Sequence, residues 1–361
     1  MSTINLEKLG FNGRFAAQSY QYEGLFPGRV SSQYKDLYKI ICENGEITAG
    51  ISGKLRFEAQ APSDFPAVGD FVMIDRITTQ NGNAVIHHVL SRKSAFIRRA
   101  AGTSNGGQVV AANIDTLFIC MSLNNDFNLR RLERYLAIAW DSGAMPVIVL
   151  TKADLCEDAQ EKLREAEAAA PGAEVLLTSA ITEGGYKQVL QYIKEGQTGA
   201  FIGSSGAGKS TLINCLAGGE ILATSGLRND DKGRHTTTRR ELIVLENGGM
   251  VIDTPGMREL GLESADLSKA FADIDALSGG CKFGDCMHES EPGCAVQKAL
   301  SEGIIDSERF LSYKKLKKEA RYEGLNSREI ENIKINEMFA EVGGMKNARK
   351  FAKEKNKKRN L

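Results

Sequence analysis

The chain has 361 residues, more than one ordinary domain holds, and its 42% hydrophobic and 25% charged residues are typical of a globular protein with buried cores. The formal net charge is zero, so overall charge predicts no polyanionic partner, and no apolar run approaches the roughly 18 residues that a membrane-spanning helix needs. The amino terminus lacks the basic start and apolar block of a secretory signal. We therefore expect a soluble, cytoplasmic protein of several domains with no membrane partner.

Residues from about 36 to 107 have an all-β pattern. Two short apolar runs flank Asn44-Gly45, and two more flank TTQNGN at 78–83, which is a hairpin signal. Short strands at this spacing predict a compact OB-type β-barrel within an N-terminal region of residues 1–107. The segment 98–113 is rich in glycine and small residues and is predicted to be a linker.

From Ile114 onward, buried strands alternate with amphipathic helices. IDTLFICMSL at 114–123 is predicted to be a strand, NLRRLERYLAIAWDSG at 128–143 a helix, and YKQVLQYIKEG at 186–196 a further helix. Such alternation predicts a mostly parallel sheet covered on both faces, in a domain of residues 112–262.

The seven cysteines form no disulfide pattern. Cys42, Cys120, Cys156 and Cys215 are scattered and are interpreted as ordinary buried thiols. The other three lie with a histidine within 281–294, which indicates metal binding in a reducing compartment.

The stretch FIGSSGAGKST contains the phosphate-loop pattern G-x-x-x-x-G-K-[ST] between a predicted strand and a predicted helix. Its glycines let the backbone N–H groups face a β-phosphate at the positive end of the helix. Lys209 is predicted to pair with the β- and γ-phosphates, and the Ser210 hydroxyl to bind Mg²⁺. The residues predicted to hold nucleotide here are Gly203, Ser204, Ser205, Gly206, Ala207, Gly208, Lys209, Ser210 and Thr211. The pattern alone does not choose ATP or GTP, and a Gly/Ser turn that binds nothing is the alternative.

Thr151-Lys152-Ala153-Asp154 follows a buried strand, at the edge where open α/β sheets bind ligands. A carboxylate at Asp154 accepts hydrogen bonds from the N1–H and exocyclic amine of guanine, whereas adenine offers no matching donors. Lys152 is predicted to lie over the base plane. A second strand ends in Ser179-Ala180, where a backbone N–H is placed to meet guanine O6.

VIDTPG at 251–256 supplies Asp253 for Mg²⁺ and Gly256 for the γ-phosphate. One of Thr236, Thr237 and Thr238 is expected to reach the same ion.

Met257 follows Gly256, and a thioether cannot orient the attacking water as the glutamine of Ras-like enzymes does. His235 is the candidate for that task, with an RNA contact or a turn cap as alternatives.

These five elements occur in a cyclically shifted order, which a Ras-like sheet tolerates because its natural ends lie close together. The order TKxD, SA, GxxxxGKS, GRHTTT, DTPG resembles the circularly permuted GTPases of the RsgA (YjeQ/YloQ) family. The resemblance covers nearly the whole chain. It implies an OB-fold in front, a zinc-binding helical domain behind, and GTP hydrolysis that depends on the small ribosomal subunit and acts late in that subunit's assembly.

The resemblance also carries over to CKFGDCMHESEPGC. Cys281, Cys286, His288 and Cys294 are then the ligands of one structural Zn²⁺, since three thiolates and an imidazole close a tetrahedral site. The alternative is a set of coincidental thiols. The zinc domain is predicted to span 263–345.

The tail at 346–361 carries eight Lys or Arg against one Glu, which suits either a solvated terminus or an arm that neutralises nucleic-acid phosphates.

The interpretation that follows is a monomeric GTPase that binds GTP and GDP, is stimulated by the small ribosomal subunit, and contacts its rRNA through the barrel, zinc domain and tail. A nucleotide-stabilised RNA-binding adaptor with little turnover is the alternative. A P-loop ATPase is disfavoured by the TKAD and TSA motifs.

Overall fold

The structure is a computed structural model that describes residues 3–34, 37–80, 82–98, 107–124, 126–182, 184–222, 240–253 and 270–321. Several predicted positions lie outside these ranges, namely His235, Thr236, Thr237, Thr238, Gly256 and the tail at 346–361. No helix within the described ranges is long and apolar enough to cross a membrane.

The amino-terminal region contains a closed five-stranded barrel, as predicted. Its strands are β1 Phe26–Gln33, β2 Tyr38–Cys42, β3 Gly45–Ile51, β4 Phe71–Ile74 and β5 Ala84–Val89. Neighbours pair in the order β1-β2-β3-β5-β4 and β4 returns to β1, with only the β3–β5 pair parallel among them. Helix α1 Gly13–Ser19 precedes the barrel, and α2 Gly53–Glu58 follows β3. The interior is filled by apolar side chains of alternate strand positions, among them Val30, Ile40, Val72 and Ile86.

The prediction of a linker at 98–113 is wrong for its last residues. Gln108–Ala112 forms strand β7, which pairs antiparallel with β6, Ala95–Arg98. Val109 and Val110 are buried, so burial of a short apolar run outweighs the small-residue composition that suggested a linker.

The central domain is built on six strands: β8 Thr116–Ser122, β9 Met145–Thr151, β10 Glu174–Leu177, β11 Thr198–Ile202, β12 Glu241–Val244 and β13 Met250–Asp253. They lie in the order β10-β9-β8-β11-β13-β12, and only β12 runs antiparallel to its neighbour in this series. Successive residues point to opposite faces, so Ile119 joins one core with Leu132 while Cys120 joins the other with Leu212. Both faces are therefore covered, as the alternating pattern predicted.

Helices α3 Leu129–Asp141 and α5 Lys209–Leu216 match two predicted helices, and α4 Ala159–Ala169 lies between β9 and β10. The helix predicted at 186–196 is instead a six-residue 3₁₀ helix, Lys187–Tyr192. Val189 and Ile193, four residues apart, are fully buried on the sheet. Because apolar spacing of three to four residues suits both kinds of helix, the sequence pattern could not distinguish them.

Within the described residues, the carboxyl-terminal module contains α6 Ala272–Ser278, α7 Ala295–Ser301 and α8 Ser307–Arg321. It packs on the face of the central sheet that carries α3 and α4, and Phe271, Ile274 and Phe310 share one hydrophobic cluster with Leu136. An ion pair between Arg130 and Asp306, 2.6 Å long, places the start of α8 beside the amino-terminal end of α3.

The barrel joins the central sheet through β1. Ser32 pairs with Glu241 of β12, and the buried Arg29 donates to the Leu9 carbonyl at 2.5 Å and the Thr198 hydroxyl at 2.8 Å. Burial lowers the pKa of Arg29 to about 10, against the opposing charges of Asp115 and Asp70, so the guanidinium remains charged at neutral pH.

Candidate active site and metal centre

The phosphate loop lies between β11 and α5, as predicted, and its glycines are required by its geometry. Gly203, Gly206 and Gly208 have φ values of 140°, 80° and 85°, which L-residues with a side chain rarely adopt. A Cβ on Gly203 would also lie 2.1 Å from the carbonyl oxygen of Cys120. The loop is thus seated directly against the end of strand β8.

Lys209 is the first residue of α5 and lies over the loop. Its ammonium donates to the carbonyl oxygens of Gly203 at 2.7 Å and Ser204 at 2.6 Å. Ser210 and Thr211 follow in the first turn, where the N–H groups and the helix dipole favour an anion. The lysine and the helix terminus therefore converge on the loop that is predicted to bind phosphate.

The predicted base-reading loop is attached to the phosphate loop by one buried hydrogen bond. The Thr151 hydroxyl at the end of β9 donates to the Ala207 carbonyl at 2.7 Å. Lys152 next to it has a φ of 57°, in the left-handed region, which turns the chain sharply before Asp154. The two loops, 56 residues apart in the chain, form one continuous site at the carboxyl edge of the sheet.

Asp154 and Ser179 are brought together, as the base-reading hypothesis requires. The Ser179 hydroxyl donates to Asp154 Oδ1 at 2.6 Å, and it accepts from the Thr182 hydroxyl at 2.9 Å. A hydroxyl has one proton to donate, and that of Ser179 is directed to the Asp154 carboxylate oxygen. Thr182 was not among the predicted residues, although its position three residues after Ser179 is a signal for a local side-chain contact.

The loop after β10 is closed on itself. The Ser179 N–H donates to the Gly185 carbonyl at 3.3 Å, and the Gly185 N–H donates to the Thr182 carbonyl at 2.9 Å. A Cβ on Gly185 would lie 2.6 Å from the Ser179 carbonyl oxygen, so glycine is needed for this closure. Ala180 is held from the other side by the Cys215 thiol of α5, which donates to its carbonyl at 3.7 Å.

Asp253 is the last residue of β13, next to the strand that carries the phosphate loop, and only 8% of it is exposed. It therefore lies at the same sheet edge as Ser210, the arrangement expected of two magnesium-binding groups.

Cys120 beneath the loop is no nucleophile, because burial raises the pKa of its thiol to about 12 despite the opposing charge of Lys209.

The Cys/His cluster is assembled in the carboxyl-terminal module. One ligand atom from each of Cys281, Cys286, His288 and Cys294 lies within 4.8 Å of all the others. The sulfurs of Cys281 and Cys294 are 3.8 Å apart, and both lie 3.4–3.6 Å from His288 Nδ1. Tetrahedral Zn–S bonds of about 2.3 Å give sulfur–sulfur separations of about 3.8 Å, so the donor set and its spacing fit zinc.

The surroundings of the cluster hold its ligands in place. His288 has a φ of 59°, and its carbonyl accepts from the Gln297 amide at 2.5 Å. Burial, together with the positive charge of Lys317, lowers the pKa of His288, which keeps its imidazole neutral and able to bind a metal at neutral pH. The Glu291 carboxylate accepts from the backbone N–H groups of Met287 and Glu289 and closes the intervening turn.

Comparison with known proteins decides the family. Residues 89–263 match the RsgA GTPase family. The protein of Lactiplantibacillus plantarum named small ribosomal subunit biogenesis GTPase RsgA 2 is 51% identical over 345 residues, which cover 95% of this chain and 97% of that one. The chain belongs to the RsgA GTPase family.

Two solved structures resemble this RsgA-family protein in fold. YjeQ from Thermotoga maritima matches with a TM-score of 0.61 and 28% identity over 82% of this chain and 98% of that one. YloQ, described as a circularly permuted GTPase, matches with a TM-score of 0.60 and 22% identity over 84% and 97%. The predicted architecture is therefore confirmed: an OB-type barrel, a circularly permuted GTPase domain and a helical carboxyl-terminal module.

One residue at the nucleotide edge of this RsgA-family protein was missed by sequence reasoning. Asp126, between β8 and α3, accepts a hydrogen bond from the Ser204 hydroxyl of the phosphate loop. Arg131 pairs with the other carboxylate oxygen at 2.7 Å. An isolated aspartate in a polar loop has no motif to mark it, so only the folded arrangement shows its position.

Proposed function

We propose that this protein hydrolyses GTP with stimulation by the small ribosomal subunit and acts as a late-stage maturation factor of that subunit. The observation that carries the proposal is the Thr151–Ala207 hydrogen bond, which joins a guanine-reading loop to a phosphate loop. It occurs in a member of a GTPase family whose relative in Lactiplantibacillus plantarum is named for small-subunit biogenesis.

The roles we assign follow from donor and acceptor chemistry. The Asp154 carboxylate accepts from guanine N1–H and the exocyclic amine, Lys152 covers the base, and the Ala180 N–H meets O6. Ala180 is chosen over Ser179 because the Ser179 N–H already donates to Gly185. Recognition of guanine over adenine then rests on a carboxylate that adenine would leave unpaired.

The phosphates lie, in this proposal, against the N–H groups of 203–211, with Lys209 exchanging its two loop carbonyls for phosphate oxygens. Ser210 and Asp253 would hold Mg²⁺, which neutralises charge on the phosphates when bound. Gly256 and His235 are assigned to the γ-phosphate and to the attacking water. Because Met257 stands where Ras-like enzymes orient water with glutamine, unassisted hydrolysis is expected to be slow.

We assign the cluster of Cys281, Cys286, His288 and Cys294 to one structural Zn²⁺. Contacts with rRNA are assigned to the barrel, the zinc domain and the basic tail, acting on phosphates and stacked bases. The working division is a 1–107 region, a 112–262 GTPase domain, a 263–345 zinc domain and a 346–361 tail, in a cytoplasmic monomer.

The test is steady-state GTP hydrolysis at low salt, with and without purified small ribosomal subunits. We expect strong stimulation by small subunits, none by large subunits, and loss of turnover in Lys209→Ala. Tight subunit binding without stimulated turnover would favour the RNA-binding adaptor instead. Competition between GTP and ATP in the same assay tests the base assignment separately.

A further inference from the structure

The phosphate loop is held at three points by neighbouring elements. Gly203 is seated against the Cys120 carbonyl, and the Ala207 carbonyl accepts from Thr151. The third point is the Ser204 hydroxyl, which donates to the Asp126 carboxylate. The first two use strand ends, whereas the third uses the connection that leads into α3.

Asp126 is itself fixed. Its N–H donates to Asn124 Oδ1 at 3.1 Å, and the same oxygen accepts from the Ser122 hydroxyl at 2.8 Å at the end of β8. Arg131, in the first turn of α3, pairs with the Asp126 carboxylate at 2.7 Å. A carboxylate so close to a phosphate-binding loop would repel anions, and the guanidinium offsets that charge.

The same part of α3 is held on its other side by the carboxyl-terminal module. Arg130 pairs with Asp306 at 2.6 Å and with Glu133 at 2.8 Å. Arg309 of α8 pairs with the fully buried Glu133 at 2.9 Å and with Asp273 at 2.8 Å. Arg130 and Arg131 are adjacent residues of one helical turn. Arg130 contacts the carboxyl-terminal module, and Arg131 contacts Asp126, which holds the phosphate loop.

We propose that Asp126 is a positioning residue for the phosphate loop. We further propose that the first turn of α3 couples docking of the carboxyl-terminal module to the affinity of the phosphate loop for nucleotide. A shift of the module pulls on Arg130 and Glu133, and the turn carries Arg131 and its partner Asp126 with it. Since Ser204 follows Gly203, a displaced Asp126 changes the direction of the loop's N–H groups. The inference rests on the nucleotide-binding role proposed for the loop.

The first experiment measures binding of a fluorescent GDP analogue to the full chain and to Asp126→Ala, Ser204→Ala and the double variant. Each single variant is expected to weaken binding about tenfold, the equivalent of one hydrogen bond to a charged group, and the double variant no further. Glu165→Ala on α4, an exposed acidic residue, is the matched control and should bind like the native chain. Native-like binding by both single variants, or fully additive losses, would overturn the positioning role.

The second experiment tests the coupling. Arg130→Gln is expected to raise the GDP dissociation rate about threefold in the native background and to have no effect in the Ser204→Ala background. The same factor in both backgrounds would overturn the coupling while leaving the positioning role intact. If the native chain itself fails to bind the analogue, the nucleotide assignment fails. If the native chain binds the analogue and every variant binds it equally well, this inference is wrong while the nucleotide assignment stands.

Discussion

The Thr151 hydroxyl donates to the Ala207 carbonyl across 2.7 Å, so the end of the base-reading strand supports the middle of the phosphate loop. The two loops that we propose bind the base and the phosphates are thereby held in one geometry, although the permuted chain presents them in reverse order. Preorganisation of this kind lowers the conformational cost of binding.

Thr151→Val tests that support. The valine side chain has the same shape but no donor, so the buried Ala207 carbonyl loses its partner at a cost of about 1–3 kcal/mol. We expect GDP affinity to fall about tenfold or more, measured by titration of a fluorescent GDP analogue. Thr151→Ser keeps the hydroxyl and should retain most of the affinity, and equal losses in both variants would contradict the role of the bond.

Asp154→Asn is expected to exchange guanine for xanthine recognition. Because Ser179 donates to Oδ1, the asparagine carbonyl is held at that position and its NH₂ faces the base, where xanthine offers a carbonyl in place of the guanine amine. GTP affinity should fall and XTP affinity rise, measured by competition against labelled GDP and XDP. An unchanged preference for GTP over XTP would show that Asp154 does not contact the base edge.

Thr182→Val removes the donor that directs the Ser179 proton to Asp154. GDP affinity should fall about threefold to tenfold, as expected of one neutral hydrogen bond. IDP, which lacks the exocyclic amine and makes one contact fewer with the carboxylate, should lose less. Thr182→Ser is the control, and an equal loss for GDP and IDP would indicate a general loop defect.

Replacing a ligand of the Cys/His cluster should remove one metal ion per chain and loosen the carboxyl-terminal module. The described helices of this module are joined by polar loops, so a metal ion held by the cluster would contribute directly to the folding of the module. We expect elemental analysis to find about one zinc per chain in the native protein and none in Cys286→Ser. Cys156→Ser, which changes a cysteine outside the cluster, should keep its zinc. A native chain that purifies without metal would contradict the zinc assignment.

Arg309→Met should destabilise the docking of α8. The guanidinium also donates to the Ala169 and Ala270 carbonyls, and its loss leaves the buried Glu133 with Arg130 alone. Removing one partner of a buried ion pair typically costs about 3–5 kcal/mol. Thermal unfolding should shift to lower temperature, and adding Glu133→Gln should restore part of the loss because it removes a buried charge that has lost one of its two partners.

The sequence by itself determined the architecture and the motifs. Apolar alternation between turn signals was sufficient for the barrel, because one buried face imposes a period of two. The phosphate loop could also be predicted, since residues other than glycine rarely adopt its backbone angles, and the Cys/His cluster could be predicted because few residue types bind zinc. Each of these features depends on residues that lie close together in the chain, so a short stretch of sequence was enough to predict it.

Only the tertiary structure decided which separate pieces meet. Asp126 and Ser204 are 78 residues apart and Glu133 and Arg309 are 176 apart, and no local pattern connects either pair. The strand Gln108–Ala112 and the 3₁₀ helix Lys187–Tyr192 were also settled by packing, because burial against a partner outweighs weak local preference. A motif predicts what a segment can bind. The tertiary structure brings distant strand ends to one edge of the sheet, and contacts made there hold the segment in position.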